Sequence, residues 1–271
     1  MNFRHDYLVT DDLKIFYHRH IDGGGKTPLL LLHGYTDNGR CWQRAANDLA
    51  DQYDVIMPDA RGHGRTQGAV QKFSYQQLAQ DVQAVIEGMG LERPFLFGHS
   101  MGALTALIVA ANEPDQVRGI VLEDPPFIDE SRPNFLKKKF MQKAAADSRA
   151  FQKQPLSERI AVCRANDPGW VEAEVIPWAE SKGEYNPEIL DAAVRVRMHQ
   201  VRWREAAAQV KCPALLVTAE RGIVTPEIAA EAIGLMPNCE LIQIPAAGHC
   251  IHRDAYAPTM QVVTRFLDKH R

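Results

Sequence analysis

The strongest constraint on this chain is a succession of short, unbroken apolar runs set between amphipathic segments. Pro28-Leu29-Leu30-Leu31-Leu32 lacks the polar alternation of a half-solvated strand, so it fits a strand buried on both faces. Val55-Ile56-Met57, Phe95-Leu96-Phe97 and Ile120-Val121-Leu122 repeat the pattern. Between them Leu78, Val82, Val85, Ile86 and Met89 recur at helical spacing behind an N-cap at Ser74. Such alternation specifies a mostly parallel sheet with helices on both faces. The texture changes after Pro125-Pro126. Residues 127 to about 205 are rich in Lys, Arg, Gln, Ala and Glu and contain no strand-like run. Strands at 214–218 and 241–244, a helix opened by Pro226 and a last helix over about 255–268 then resume the α/β pattern. The expected organisation is a core of residues 1–126 and 206–271, interrupted by a helical cap over 127–205. An insertion that long suits a functional lid better than a connection.

Composition narrows the function classes. Of 271 residues, 45% are hydrophobic and 24% charged, which excludes a disordered or fibrous chain. The formal net charge of −3 gives no electrostatic reason to expect nucleic acid or an anionic membrane as partner. No apolar run approaches the ~18 residues of a spanning helix, and Met1 to Asp6 has no secretory pattern. The five cysteines are scattered without CxxC spacing, so they read as reduced thiols of a cytoplasmic protein rather than a zinc site. A monomer or homodimer acting on a small molecule is expected.

Gly98-His99-Ser100-Met101-Gly102 has the form G-x-S-x-G, directly after an apolar strand and directly before a helix. A serine at so tight a turn projects its hydroxyl clear of the sheet, and the helix N-terminus favours developing negative charge. Ser100 is therefore the candidate nucleophile. His33-Gly34-Tyr35 ends the most apolar strand, where a backbone N–H could enter an oxyanion hole; the donors would be the N–H groups of Tyr35 and Met101. Among ten histidines, His249 lies in a loop at the end of a core strand, where a base would face Ser100. His18 and His20 fall in an expected edge strand, and His63, His199 and His270 in a Gly-rich loop, the cap and the terminus.

With Leu32-His33-Gly34, Asp59-Ala60-Arg61-Gly62-His63-Gly64, Gly98 to Gly102 and Gly248-His249 in this order, the chain resembles the α/β-hydrolase superfamily over nearly its whole length. The resemblance implies an eight-stranded sheet with a helical cap after strand six. It also implies that Asp59 to Gly64 form a structural loop steadying the core loops. The acid departs from the usual pattern: the place after strand seven, normally Gly-x-x-Asp, holds Gly222. Some superfamily members carry the acid after strand six instead, where Asp124 lies 24 residues beyond Ser100. An amidohydrolase group acting on acetamidomethylene succinate is similar in this respect. Haloalkane dehalogenases share that place, but with an aspartate nucleophile. Asp124 leads, with Glu220 and then Glu123 as alternatives.

In the cap, Trp170, Trp178 and Trp203 are candidates for the substrate pocket, although packing alone would also account for them. Lys137-Lys138-Lys139 reads as a solvated helix face. One arginine of Arg195-Val196-Arg197 could face an anionic substrate. No metal or organic cofactor is implied, since no P-loop, GxGxxG or ligand cluster is present. The expected function is a serine hydrolase of a small ester, lactone or activated amide. Hydrolysis of a carbon–carbon bond in a diketone-like substrate and a slow-hydrolysing ligand receptor on the same fold are the alternatives.

Overall fold

The computed structural model describes residues 3–22, 24–71, 73–128, 134–195 and 201–271, with side chains omitted for 134–141, 194 and 195. The Lys137-Lys138-Lys139 face, the Arg195 to Arg197 pair and His199 lie outside the described side chains.

The strands are β1 (Phe3–Val9), β2 (Leu13–His20), β3 (Thr27–Leu32), β4 (Tyr53–Pro58), β5 (Gln67–Gly68), β6 (Phe95–His99), β7 (Gly119–Glu123), β8 (Ala214–Arg221) and β9 (Cys239–Gly248). They form one sheet in the order β1-β2-β4-β3-β6-β7-β8-β9, and the two-residue β5 pairs with β2 off that path. The expected eight-strand path is present, with β5 added. That short strand advances the numbering by one, so the helical insertion follows β7. Pairing is parallel from β4 through β9 and antiparallel in β1–β2 and β2–β4. His18 and His20 are on β2, which is an interior strand; β1, exposed along most of its length, forms the edge. Its polar sequence, with no buried face, is why the edge was misplaced from the sequence.

The apolar runs divide between two faces, as side-chain alternation along a strand requires. Leu30, Leu32, Ile56, Leu96, Ile120, Leu122 and Leu216 face α2 (Tyr75–Gly88) and α3 (Met101–Asn112). Leu29, Leu31, Val55, Phe95, Phe97, Val121, Leu215 and Val217 face α1 (Gln43–Leu49) and α11 (Tyr256–His270). The Ser74 hydroxyl caps α2 by accepting from the Gln77 N–H. Between β7 and β8 the described chain is helical: α4 (Asn134–Gln152), α5 (Leu156–Asn166), α6 (Glu172–Ser181), α7 (Glu188–Arg195) and α8 (Trp203–Ala207). The remaining helices are α9 (Pro226–Leu235) and α10 (Ile251–Asp254). No helix among the described residues is long and apolar enough to cross a membrane.

Candidate active site

The carboxyl ends of β6 and β7 lie side by side, with His99 opposite Glu123. The chain leaves β6 through Ser100, at φ 51° and ψ −114°, and enters α3 at once. The flanking glycines are sterically required. A Cβ on Gly98 would meet the Gly102 backbone at 2.3 Å, and one on Gly102 would meet the Leu32 carbonyl oxygen at 2.0 Å. The Ser100 N–H donates to the Glu123 carbonyl at 2.9 Å, so the turn is also tied to β7.

Asp124 follows Glu123 at φ 40° and is fully buried. Its carboxylate accepts from the Ile223 N–H at 2.8 Å and the Val224 N–H at 3.1 Å, both beyond β8. His249 Nδ1 lies 2.7 Å from Asp124 Oδ2, and its Nε2 lies 2.9 Å from Ser100 Oγ. A carboxylate accepts, so Nδ1 carries the proton and Nε2 is left to accept from the serine hydroxyl. The other two carboxylates considered go elsewhere. Glu220 is exposed and accepts from the Ala246 N–H at 2.9 Å. Glu123 turns into the interior and accepts from the N–H and Nδ1–H of His252 at 3.0 and 2.8 Å. The consecutive acids thus pair with histidines three residues apart, Asp124 with His249 and Glu123 with His252. Burial raises the Glu123 carboxyl and pushes the His252 imidazole down to about 3.

Gly34 brings the turn after β3 against Ser100: a Cβ there would lie 3.6 Å from the serine Cβ and 2.7 Å from His99 Nδ1. Tyr35 follows this close approach, and Met101 is the first residue of α3. Two buried histidines hold the turn. His33 Nε2 accepts from the Ala60 N–H at 2.9 Å, and His63 Nε2 accepts from the Thr36 N–H at 3.1 Å. Their Nδ1–H groups donate to the Gly34 and Arg61 carbonyls. Burial pushes them down to about 4 and about 3, so both are neutral. Asp59 accepts from the Gly39 and Arg65 N–H groups. The Asp59 to Gly64 segment is thus tied to the turn after β3.

The three tryptophans part company. Trp203 is fully buried, stacked on Phe127 at 4.3 Å, with its Nε1–H donated to the Ile128 carbonyl. Trp170 donates to Asp254, whose other oxygen accepts from the Gly248 N–H beside His249. Trp178 packs edge-on against Trp170 and near Phe151.

A buried charge cluster that sequence reasoning missed joins the end of α6 to the turn after β3 and to α10. Asp37 accepts from Arg253 Nη2 at 2.8 Å and from Lys182 Nζ, and Arg253 Nε lies 3.7 Å from Glu174. Burial alone would raise Asp37, but Arg253 and Lys182 hold it well below the usual carboxylate range. The cations are 145 and 216 residues from Asp37, so no local spacing announces them. Among the described residues no cluster of His, Cys, Asp or Glu is placed to hold a metal ion.

A profile of the alpha/beta hydrolase fold matches residues 27–256, and the chain belongs to that family. It is 26% identical to the 2-(acetamidomethylene)succinate hydrolase of Mesorhizobium japonicum, over 90% of this chain and 89% of the relative. It is 28% identical to the N-formylmaleamate deformylase of Pseudomonas putida, over 91% and 90%. A crystal structure of E-2-(acetamidomethylene)succinate hydrolase superposes with a TM-score of 0.82 at 22% identity, covering 98% of this chain and 99% of that one. By this kinship the chain is an enzyme with hydrolase activity.

Proposed function

We propose that the protein is a serine hydrolase of small activated amides, esters or lactones, with Ser100 as nucleophile, His249 as general base and then acid, and Asp124 as its orienting carboxylate. The observation that carries this reading is the unbroken chain Ser100 Oγ, His249 Nε2, His249 Nδ1, Asp124 Oδ2, with contacts of 2.9 and 2.7 Å. His249 takes the Ser100 proton as Oγ attacks the substrate carbonyl. Asp124 keeps the imidazole in the accepting tautomer and supports the imidazolium that forms. The N–H groups of Tyr35 and Met101 receive the oxyanion. The imidazolium returns its proton to the leaving amine or alkoxide. Water, activated by the same imidazole, then releases the acid from Ser100. Two relatives whose names carry an acetamido and an N-formyl group favour an N-acyl amide within the class. In this reading α4–α7 form the cap, while α8 already belongs to the core through Trp203.

A fluorophosphonate should label the protein at one equivalent on Ser100, and Ser100→Ala should abolish labelling without changing the circular dichroism spectrum. Turnover should then be compared across a p-nitrophenyl acyl ester, a lactone, an N-acyl enamide and a carbon–carbon meta-cleavage product. Labelling at another serine, or turnover of the carbon–carbon substrate alone, overturns the reading.

A further inference from the structure

The turn after β3 is bolted to the cap at alternate residues. Arg40 Nη1 donates to Glu180 at 2.6 Å, and Asn38 Nδ2 donates to Glu184 at 2.7 Å. Between them Lys182 Nζ donates to the Thr36 carbonyl at 3.2 Å and to the Asp37 carboxylate. The Lys182–Asp37 tie is the most deeply buried of the three. Thr36 has φ 62°, a left-handed conformation that a β-branched residue adopts only under constraint. Its peptide groups are held from opposite sides. The core supplies His63 to its N–H, and the cap supplies Lys182 to its carbonyl. Tyr35, the candidate oxyanion donor, is the residue just before it.

We propose that Lys182 is a positioning residue for the oxyanion hole: by gripping the Thr36 carbonyl and the Asp37 carboxylate it locks Thr36 in the left-handed conformation and so aims the Tyr35 N–H at the reacting oxygen. The inference rests on the serine-hydrolase reading above. Arg253 still neutralises Asp37 when Lys182 is lost, but the Thr36 carbonyl then has no cap donor and the turn can relax to an ordinary φ. The cap in this view completes the catalytic machinery as well as covering it, because a donor off its aim by a fraction of an ångström loses more of its stabilisation of the transition state than of its hold on the ground state.

The test is the rate of Ser100 phosphonylation by a fluorophosphonate, resolved into reversible binding (KI) and maximal inactivation rate (kinact). Lys182→Met should lower kinact by about 10- to 100-fold, part of the loss seen when an oxyanion donor is removed, with KI within about threefold. Lys182→Arg, which keeps the charge and the donors, should recover kinact to within about fivefold. Glu172→Gln, which breaks an exposed cap ion pair with Arg164, should change neither constant. If Lys182→Met does not fold, Lys182→Gln, uncharged and shorter in reach, carries the same expectation. A Met or Gln variant that labels at the wild-type rate overturns the proposal. So does an Arg variant as slow as the Met variant with an equal loss of Tm, which would make the effect one of packing. Failure of the wild type to label at Ser100 would instead overturn the serine-hydrolase reading itself.

Discussion

At Gly222 the absence of a side chain makes room for the Asp124 carboxylate beside His249. A Cβ there would lie 2.6 Å from Asp124 Oδ1 and 2.8 Å from Oδ2, well inside contact distance. Gly222 thus leaves the room that the Asp124 carboxylate occupies. Asp124→Asn keeps the volume but would present an amide N–H to the donors of Ile223, Val224 and His249. The imidazole would turn to the wrong tautomer. Its kcat should fall by on the order of 10³–10⁴, whereas Glu220→Gln, on an exposed side chain, should cost less than about tenfold. Steady-state kinetics of the two variants on one ester checks this, and the reverse ranking would move the acid to Glu220.

Among the strands, those buried on both faces were legible from sequence, and the solvated β1 and β5 were not. The runs at 28–32, 55–57, 95–97 and 120–122 became β3, β4, β6 and β7 because a doubly covered strand admits no polar alternation. By contrast, β1 reads as polar and β5 is two residues long, and neither carries a hydrophobic signature. At the site, the surroundings of Ser100 were legible because the strand, turn and helix are contiguous. The acid facing His249 could only be ranked, with Asp124 first by resemblance, since Asp124, Glu123 and Glu220 all stand near strand ends and only three-dimensional register separates them. Lys182 and Arg253 left no trace, because a single cation in a polar segment has no periodicity to betray its burial. The three tryptophans carry a prediction of their own. Trp170 reaches the His249 loop through Asp254, and Trp178 backs Trp170. Trp170→Ala should therefore change the preference among acyl chains of rising length, and Trp178→Ala should do so more weakly. Trp203→Ala should leave preference intact and lower stability by about 3–5 kcal/mol, the cost of emptying a large buried aromatic site. Assays on p-nitrophenyl acyl esters with thermal melts would show otherwise if Trp203→Ala alone altered the preference.

The whole molecule carries a pH liability in its interior. Burial pushes His33 to about 4 and His63, His99 and His252 to about 3, against about 6.5 in an unfolded chain. Between about pH 4 and 6.5 the unfolded chain therefore binds more protons than the folded one. Stability is fully present above pH 6.5 and is lost as pH falls. Asp59, raised by burial to about 6, and Glu123, raised likewise, oppose this in the same window. The four histidines outnumber these two acids, so stability should fall from pH 6.5 to 5.5, read as a falling Tm. A Tm that stays level across that interval would contradict it. The same long-range assembly bears on how the protein is born. Ser100 meets His249 across 149 residues of chain, and Asp124 meets it across 125. A ribosome must therefore pass His249 before Ser100 can meet that imidazole. On the serine-hydrolase reading the nascent chain carries an unarmed serine until then, and translation itself delays the moment at which it could attack anything.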